Sequence, residues 1–130
     1  MILDTTVLID LMRNKAAAVA RVQALAASHM PLVTTAVSVF ELFSGIARSQ
    51  RPGQEKQTVL QVLAGLPILP VDRGVAERAG ETDGALAVSG EMISSLDSLI
   101  AGTALIENQA LLTRNIKDFS KIKELAVETY

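Results

Sequence analysis

The sequence predicts an α/β fold with a mostly parallel central sheet of four to five strands. Two observations carry this expectation. Short strand-like apolar runs alternate with segments of helical spacing, which is the pattern of a parallel sheet covered by helices on both faces. The 130 residues are 49% hydrophobic and 20% charged, so the chain is globular and long enough to bury an ordinary core. No internal repeat, low-complexity segment or linker interrupts the alternation.

The elements follow in order. Residues 1–3 read as a short strand, with a helix from about Thr6 and an alanine-rich helix from about Lys15 to Ala27. Pro31 opens a second strand, PLVTT. The stretch VSVFELFSGIARSQ has helical spacing, with Val37, Phe40, Ile46 and Ala47 as its apolar set. RPG at 51–53 stops it, and another helix runs from about Gln54 to Leu63. LPILPV is a third strand. Residues 73–88 read as helix, with Arg73 and Glu77 spaced for an ion pair. After Gly90, SSLDSLIAGTALIEN is helical again, with Leu96, Leu99, Ile100 and Thr103 on one face. ALLT is a fourth strand and LAVETY a candidate fifth.

Composition excludes several chemistries. There is no cysteine, hence no disulfide, thiolate zinc site or iron–sulfur cluster. The net charge of −2 and pI of about 5.3 argue against a coat-like nucleic-acid binder but leave room for a local basic patch. His29 is the only histidine, in SHMP at an apparent helix-to-strand turn, so two imidazoles cannot act as acid and base within one chain. Neither G-x-x-x-x-G-K nor G-x-G-x-x-G occurs. The uncharged span Val22–Phe40 contains Gln23, His29, Pro31 and two threonines, and reads as a helix end, a turn and a strand rather than a membrane span. A strand-like run with an acid begins at residue 2, which is not a signal-peptide pattern. The expectation is a soluble, cytoplasmic protein.

What the chain has is carboxylates. In MILDTTVLID an apolar run ends on Asp4 with no cation beside it, although a carboxylate taken out of water is costly unless something pairs with it. On a helix, residues three and four away are the local partners. Glu41 has Val37, Ser38, Ser44 and Gly45 there, and Asp97 has Ile93, Ser94, Ile100 and Ala101. By the same criterion Asp10 pairs with Arg13, Glu77 with Arg73, Glu81 with Arg78 and Glu124 with Lys121. Asp83, Glu91 and Glu107 sit among polar neighbours and read as exposed. Asp4, Glu41 and Asp97 remain. Each has a simpler reading: Ser38–Glu41 fits a capping box, Ser94–Asp97 a weaker one, and Asp4 a helix cap. Yet all three fall at element ends on the edge of an α/β sheet where sites form, together with Thr113, Arg114 and Asn115 after the fourth strand. Converging carboxylates repel one another, and a hard cation such as Mg²⁺ or Mn²⁺ resolves the repulsion.

The segments LDTTVLID, SVFELFSG, SLDSLIAGTAL and LLTRNIKDF, in this order and spacing, resemble the PIN-domain ribonucleases, most closely the VapC toxins of toxin–antitoxin pairs. The resemblance spans the whole chain. It implies a single PIN-like domain over residues 1–130, with three α/β/α layers, and an Mg²⁺-dependent endoribonuclease that acts as the toxin of its pair. Asp4, Glu41 and Asp97 match the family's first three acids, and Thr5 its small hydroxyl residue. The metal would be held by Asp4 and Asp97 with help from Glu41. Many members carry an acid two residues after the threonine of the fourth motif, where this chain has Thr113, Arg114 and then Asn115, with Asp118 further on. Either Asn115 or Asp118 fills that place. Asp118, flanked by Arg114 and Lys121, is expected to be a weak fourth acid, with Asn115 turning its amide oxygen toward a metal-bound water. Arg48, two turns on from Glu41, is assigned to RNA positioning with Arg114 and Lys117; Lys117 reads equally as solvated surface charge. A VapB-like antitoxin, whose C-terminal segment offers a basic side chain to the acids, and a homodimer are the implied partners. Three other readings stay open. One is a receiver-type Mg²⁺-binding signalling domain with Asp72 as phosphoacceptor. The others are an inactive PIN fold kept for binding and a DNA nuclease.

Overall fold

Successive residues of a strand point to opposite faces of its sheet, and here that alternation divides the core in two. A computed structural model describes all 130 residues. Strands β1 (Ile2–Leu3) and β4 (Leu111–Leu112) run parallel and side by side, Ile2 opposite Leu111 and Leu3 opposite Leu112. Ile2 and Leu111 join a cluster on one face with Val37, Ile100 and Phe119. Leu3 and Leu112 join another on the opposite face with Val7, Leu8, Leu25 and Val59. Burial on both faces is why these strands read as continuous apolar runs rather than alternating ones.

Strand β4 also pairs with β5 (Val127–Glu128), while β2 (Thr34–Thr35) pairs with β3 (Ile68–Leu69), all parallel. A bridge between Ile2 and Val33 joins the two sets, with Leu3 N donating to Val33 O at 2.8 Å. The spatial order is therefore β3-β2-β1-β4-β5. Between the strands lie α1 (Thr5–Met12), α2 (Ala16–Ala27), α3 (Ala36–Ile46), α4 (Pro52–Leu63), α5 (Arg73–Val88), α6 (Ser95–Ile106) and a short α7 (Ile116–Phe119). This is the expected three-layer arrangement, with strands of only two residues each.

Two local expectations fail. The buried side of α3 is Val37, Ser38 and Leu42, whereas Phe40 is 60% exposed and Ala47 lies past the helix end. Helix α4 begins at Pro52 rather than Gln54, because proline is well suited to a first helical position, where its missing N–H has no partner to lose. The fourth motif contains α7, too short for its periodicity to show. His29 takes a left-handed conformation (φ 60°) just beyond α2 and is a turn residue, as expected.

Helices α5 and α6 pack at close range. A Cβ placed on Gly102 of α6 would stand 2.7 Å from the Cβ of Ala79 on α5, so only glycine fits.

Candidate active site

The end of β1 delivers Asp4 to the carboxyl edge of the sheet. Asp4 is 2% exposed and occupies the N-cap position of α1, yet its side chain makes no cap hydrogen bond. Its partners are hydroxyls. Oδ2 accepts from Thr6 Oγ1 at 2.8 Å and from Thr113 Oγ1, at the end of β4, at 2.6 Å. Both bonds fall on one oxygen, which leaves Oδ1 for a ligand. Two neutral donors thus stand where the sequence showed no cation.

Glu41 is not part of a capping box either. The N-cap of α3 is Thr35, whose side chain accepts from Ser38 N at 3.1 Å, and this places Glu41 too far along the helix to cap it. Glu41 Oε1 instead accepts from Thr5 Oγ1 at 2.7 Å, and Ser38 Oγ lies 2.8 Å from the same hydroxyl. Burial raises the Glu41 carboxyl above its ordinary value, and the Asp4 charge adds to the rise against the Thr5 hydrogen bond.

Asp97 lies in the first turn of α6, where Ser94 caps the helix by accepting from Asp97 N at 3.1 Å. Its carboxylate faces the site and is pushed up to about 6, first by burial, then by the charge of Asp4, with Glu41 and Asp118 contributing. The acids therefore sense one another across the edge of the sheet, although β1, α3 and α6 supply them separately.

Around β4 the fourth motif folds back on the site. Thr113 is fully buried and accepts from Asn115 N at 2.9 Å. Asn115 Nδ2 donates to Asp97 Oδ2 at 3.3 Å and to Asp118 Oδ2 at 3.2 Å, so one amide group bridges two acids. The amide nitrogen, not the expected oxygen, faces them. Asp118 Oδ1 also meets Lys121 Nζ at 3.5 Å, as expected, but Arg114 does not join that pair. Arg114 Nε turns to Asp10 Oδ2 at 2.7 Å. Asp10, read from the sequence as a solvated partner of Arg13, is buried and also accepts from Tyr130 OH at 2.6 Å. Sequence spacing could not reveal this, since its partners lie more than a hundred residues away. Asp83, read as exposed, is half-buried and accepts from Ser98 Oγ at 2.8 Å.

Arg48 lies beyond the end of α3, exposed. With Arg13 and Arg51 it lines a groove of about 690 Å³ that reaches Glu41. Lys117 is exposed on α7. Asp72, the phosphoacceptor of the receiver reading, spends its carboxylate capping α5, Oδ1 accepting from Val75 N at 2.9 Å. Thr6 and Ser38 were missed as members of the site; a second hydroxyl directly after D-T was the available signal.

The donors that face one another here are oxygens, which suits a hard cation and not a thiolate- or imidazole-seeking one. No three of the acids close around a single point. A bound cation would draw on Asp4 Oδ1, Asp97 and Glu41, with water or substrate oxygens completing its shell.

Comparison with known proteins places the chain and its fold. The chain is 27% identical over 128 residues to a tRNA(fMet)-specific endonuclease VapC of Shigella flexneri, covering 98% of this chain and 96% of that protein. It is 29% identical over 106 residues to ribonuclease VapC2 of Rickettsia felis, covering 82% and 79%. The fold superimposes on the crystal structure of VapBC2 from Rickettsia felis bound to a DNA fragment from their promoter. The TM-score is 0.91 at 25% identity, covering 99% of this chain and 97% of that one. The PIN domain family model matches residues 1–125. The chain belongs to the PIN domain family.

Proposed function

We propose that this protein is a divalent-metal-dependent endoribonuclease and the toxin of a toxin–antitoxin pair, acting in the cytoplasm. The observation that carries the reading is the placement of Asp4, Glu41 and Asp97 at one sheet edge, near enough that burial and the charge of Asp4 raise both Glu41 and Asp97. The similarity to proteins named ribonuclease or endonuclease VapC supports the reaction class. The VapBC structures support a VapB-like antitoxin as partner. A homodimer is part of the proposal: Phe40 and the 67% exposed Met92 are large apolar side chains that one copy leaves uncovered.

Mg²⁺ or Mn²⁺, held by Asp4 and Asp97 with Glu41, would supply a water activated for attack and neutralise charge on the phosphate. The chain's own residues do the rest. Thr6 and Thr113 fix the Asp4 carboxylate through Oδ2 and leave Oδ1 without a hydrogen bond. Thr5 holds Glu41. Asn115 keeps Asp97 and Asp118 in place without adding charge. Arg48, Arg114 and Lys117 flank the acids and would meet RNA phosphates, whose binding needs cations.

The test is incubation of purified protein with total RNA in Mg²⁺ and in EDTA. Cleavage in Mg²⁺ that EDTA stops, and that Asp4→Asn lacks, is the expected result. Cutting of DNA but not RNA would move the activity to the other nucleic acid. Absence of cutting on either would leave an inactive PIN fold.

A further inference from the structure

Asp10 is a buried carboxylate that the proposed chemistry does not use. It lies on α1, six residues beyond Asp4, which is about 9 Å further along the helix axis. One oxygen, Oδ2, carries both its partners: Tyr130 OH at 2.6 Å and Arg114 Nε at 2.7 Å. Arg114 follows β4 and Tyr130 follows β5, so three separate parts of the fold meet here. The Tyr130 phenol is pushed up to about 12 by burial and by the Asp10 carboxylate, and it remains a donor at any physiological pH.

The arrangement holds a guanidinium through its Nε edge while much of the side chain stays exposed. Arginine presents five N–H donors in a planar fork. Asp10 takes the Nε edge, and the Arg114 side chain is still 47% exposed. Its backbone is fixed too, because Arg114 N donates at 3.1 Å to Thr6 Oγ1, the hydroxyl that donates to Asp4. Orienting an arginine for a phosphate takes a carboxylate on one edge and an open outer edge, since paired N–H groups match phosphate oxygens. A purely structural ion pair has no need of the open edge.

We propose that Asp10 and Tyr130 are positioning residues that hold the Arg114 guanidinium as a binding site for a phosphate next to the one cleaved at Asp4, Glu41 and Asp97. The offset of Asp10 along α1 places this contact on a neighbouring nucleotide and not on the scissile group. The proposal rests on the ribonuclease reading.

The experiment uses the full chain with Mg²⁺ and the shortest fragment of total RNA that the wild type cuts. KM, kcat, salt dependence and melting temperature are measured for Arg114→Ala, Arg114→Lys, Asp10→Asn and the double variant Asp10→Asn with Arg114→Ala. Loss of one charge-assisted phosphate contact should raise KM about tenfold in Arg114→Ala, with kcat nearly unchanged. The slope of log affinity against log salt should fall by about 0.7, one single-strand phosphate contact. Arg114→Lys keeps the charge and the slope but not the fork, so KM still rises. Asp10→Asn raises KM in the wild-type background and adds nothing in the Arg114→Ala background, because it acts through the arginine. Should Arg114→Ala fail to fold, Arg114→Lys serves as the background. An unchanged KM in Arg114→Ala, or an Asp10→Asn loss equal in both backgrounds, overturns the proposal while leaving the ribonuclease reading intact. No cleavage by the wild type overturns both.

Discussion

Asp4 and Asp10 lie on one short stretch of chain, both nearly buried, and the fold holds them in opposite ways. Asp10 meets a guanidinium and a phenol on a single oxygen. Asp4 meets two threonine hydroxyls and no cation, and it faces two more carboxylates whose proton affinities it raises. A carboxylate with its counter-charge built in can act only by holding that partner in place. One held in place by neutral donors keeps its charge for something that arrives later. The difference separates an acid that positions an arginine from one that is available to a cation, although both are simply buried acids in the sequence.

Removing the charges should separate the two acids most strongly. Asp4→Asn and Asp97→Asn should each lower RNA cleavage by roughly a thousandfold or more, the loss of several kcal/mol of charge stabilisation at the phosphate. Asp10→Asn should retain kcat. Single-turnover cleavage rates decide this, and a loss in kcat for Asp10→Asn as large as that for Asp4→Asn would erase the distinction.

Stability should rank the two acids the other way. Asp10→Ala leaves Arg114 and Tyr130 without their acceptor and should cost about 1–3 kcal/mol, kept low because Arg114 is half exposed to solvent. Asp97→Asn in EDTA should be neutral or stabilising, since it removes a repelled charge. Thermal melts of the two variants check the ranking.

The pH dependence sharpens it further. Asp97 is raised in the fold from 3.8 to about 6, so between those values the folded state holds more protons than the unfolded one. Its favourable contribution is therefore complete below about 3.8 and is lost as pH climbs toward 6. Without metal the protein should lose some stability over that interval, and Asp97→Asn should flatten the loss. Cleavage should run in the opposite sense, rising through pH 6 as the carboxylate becomes free to bind a cation. Melts and rates over pH 4 to 8 test both signs.

The smallest effects belong to the fourth motif. Asp118 already has Lys121 and the Asn115 amide, so Asp118→Ala should reduce cleavage only a few-fold. Asn115→Asp replaces a bridging donor with a charge and should tighten metal binding without RNA, read by calorimetry. Complete loss of metal binding in Asp118→Ala would make Asp118 a direct ligand.

Much of this was legible in the sequence because the useful signal was an absence. Asp4, Glu41 and Asp97 lack a cation within one helical turn, and the order of strands and helices placed all three at one edge. The same rule misassigned Asp10, for which Arg13 stood at the right spacing while the real partners came from residues 114 and 130. A local rule detects that a charge has no neighbour along the chain; it says nothing about neighbours that folding brings. Phe40 shows a related limit. Helical spacing identified α3, but the buried side was set by Val37 and Leu42 packing against the two halves of the core. Capping was misjudged where threonine competed with serine, as at Thr35 before Ser38.

The close packing of Gly102 against Ala79 reaches further than the α5–α6 contact itself. Asp97 rides on the same helix, five residues earlier, and α6 is stiff enough to carry a displacement at one point to the other. A methyl group at Gly102 would have to shift α6 against α5 and would carry Asp97 with it, changing its place relative to Asp4 and the Asn115 amide. The spacing between the two acids is thus gauged, from behind, by a side chain consisting of one hydrogen atom.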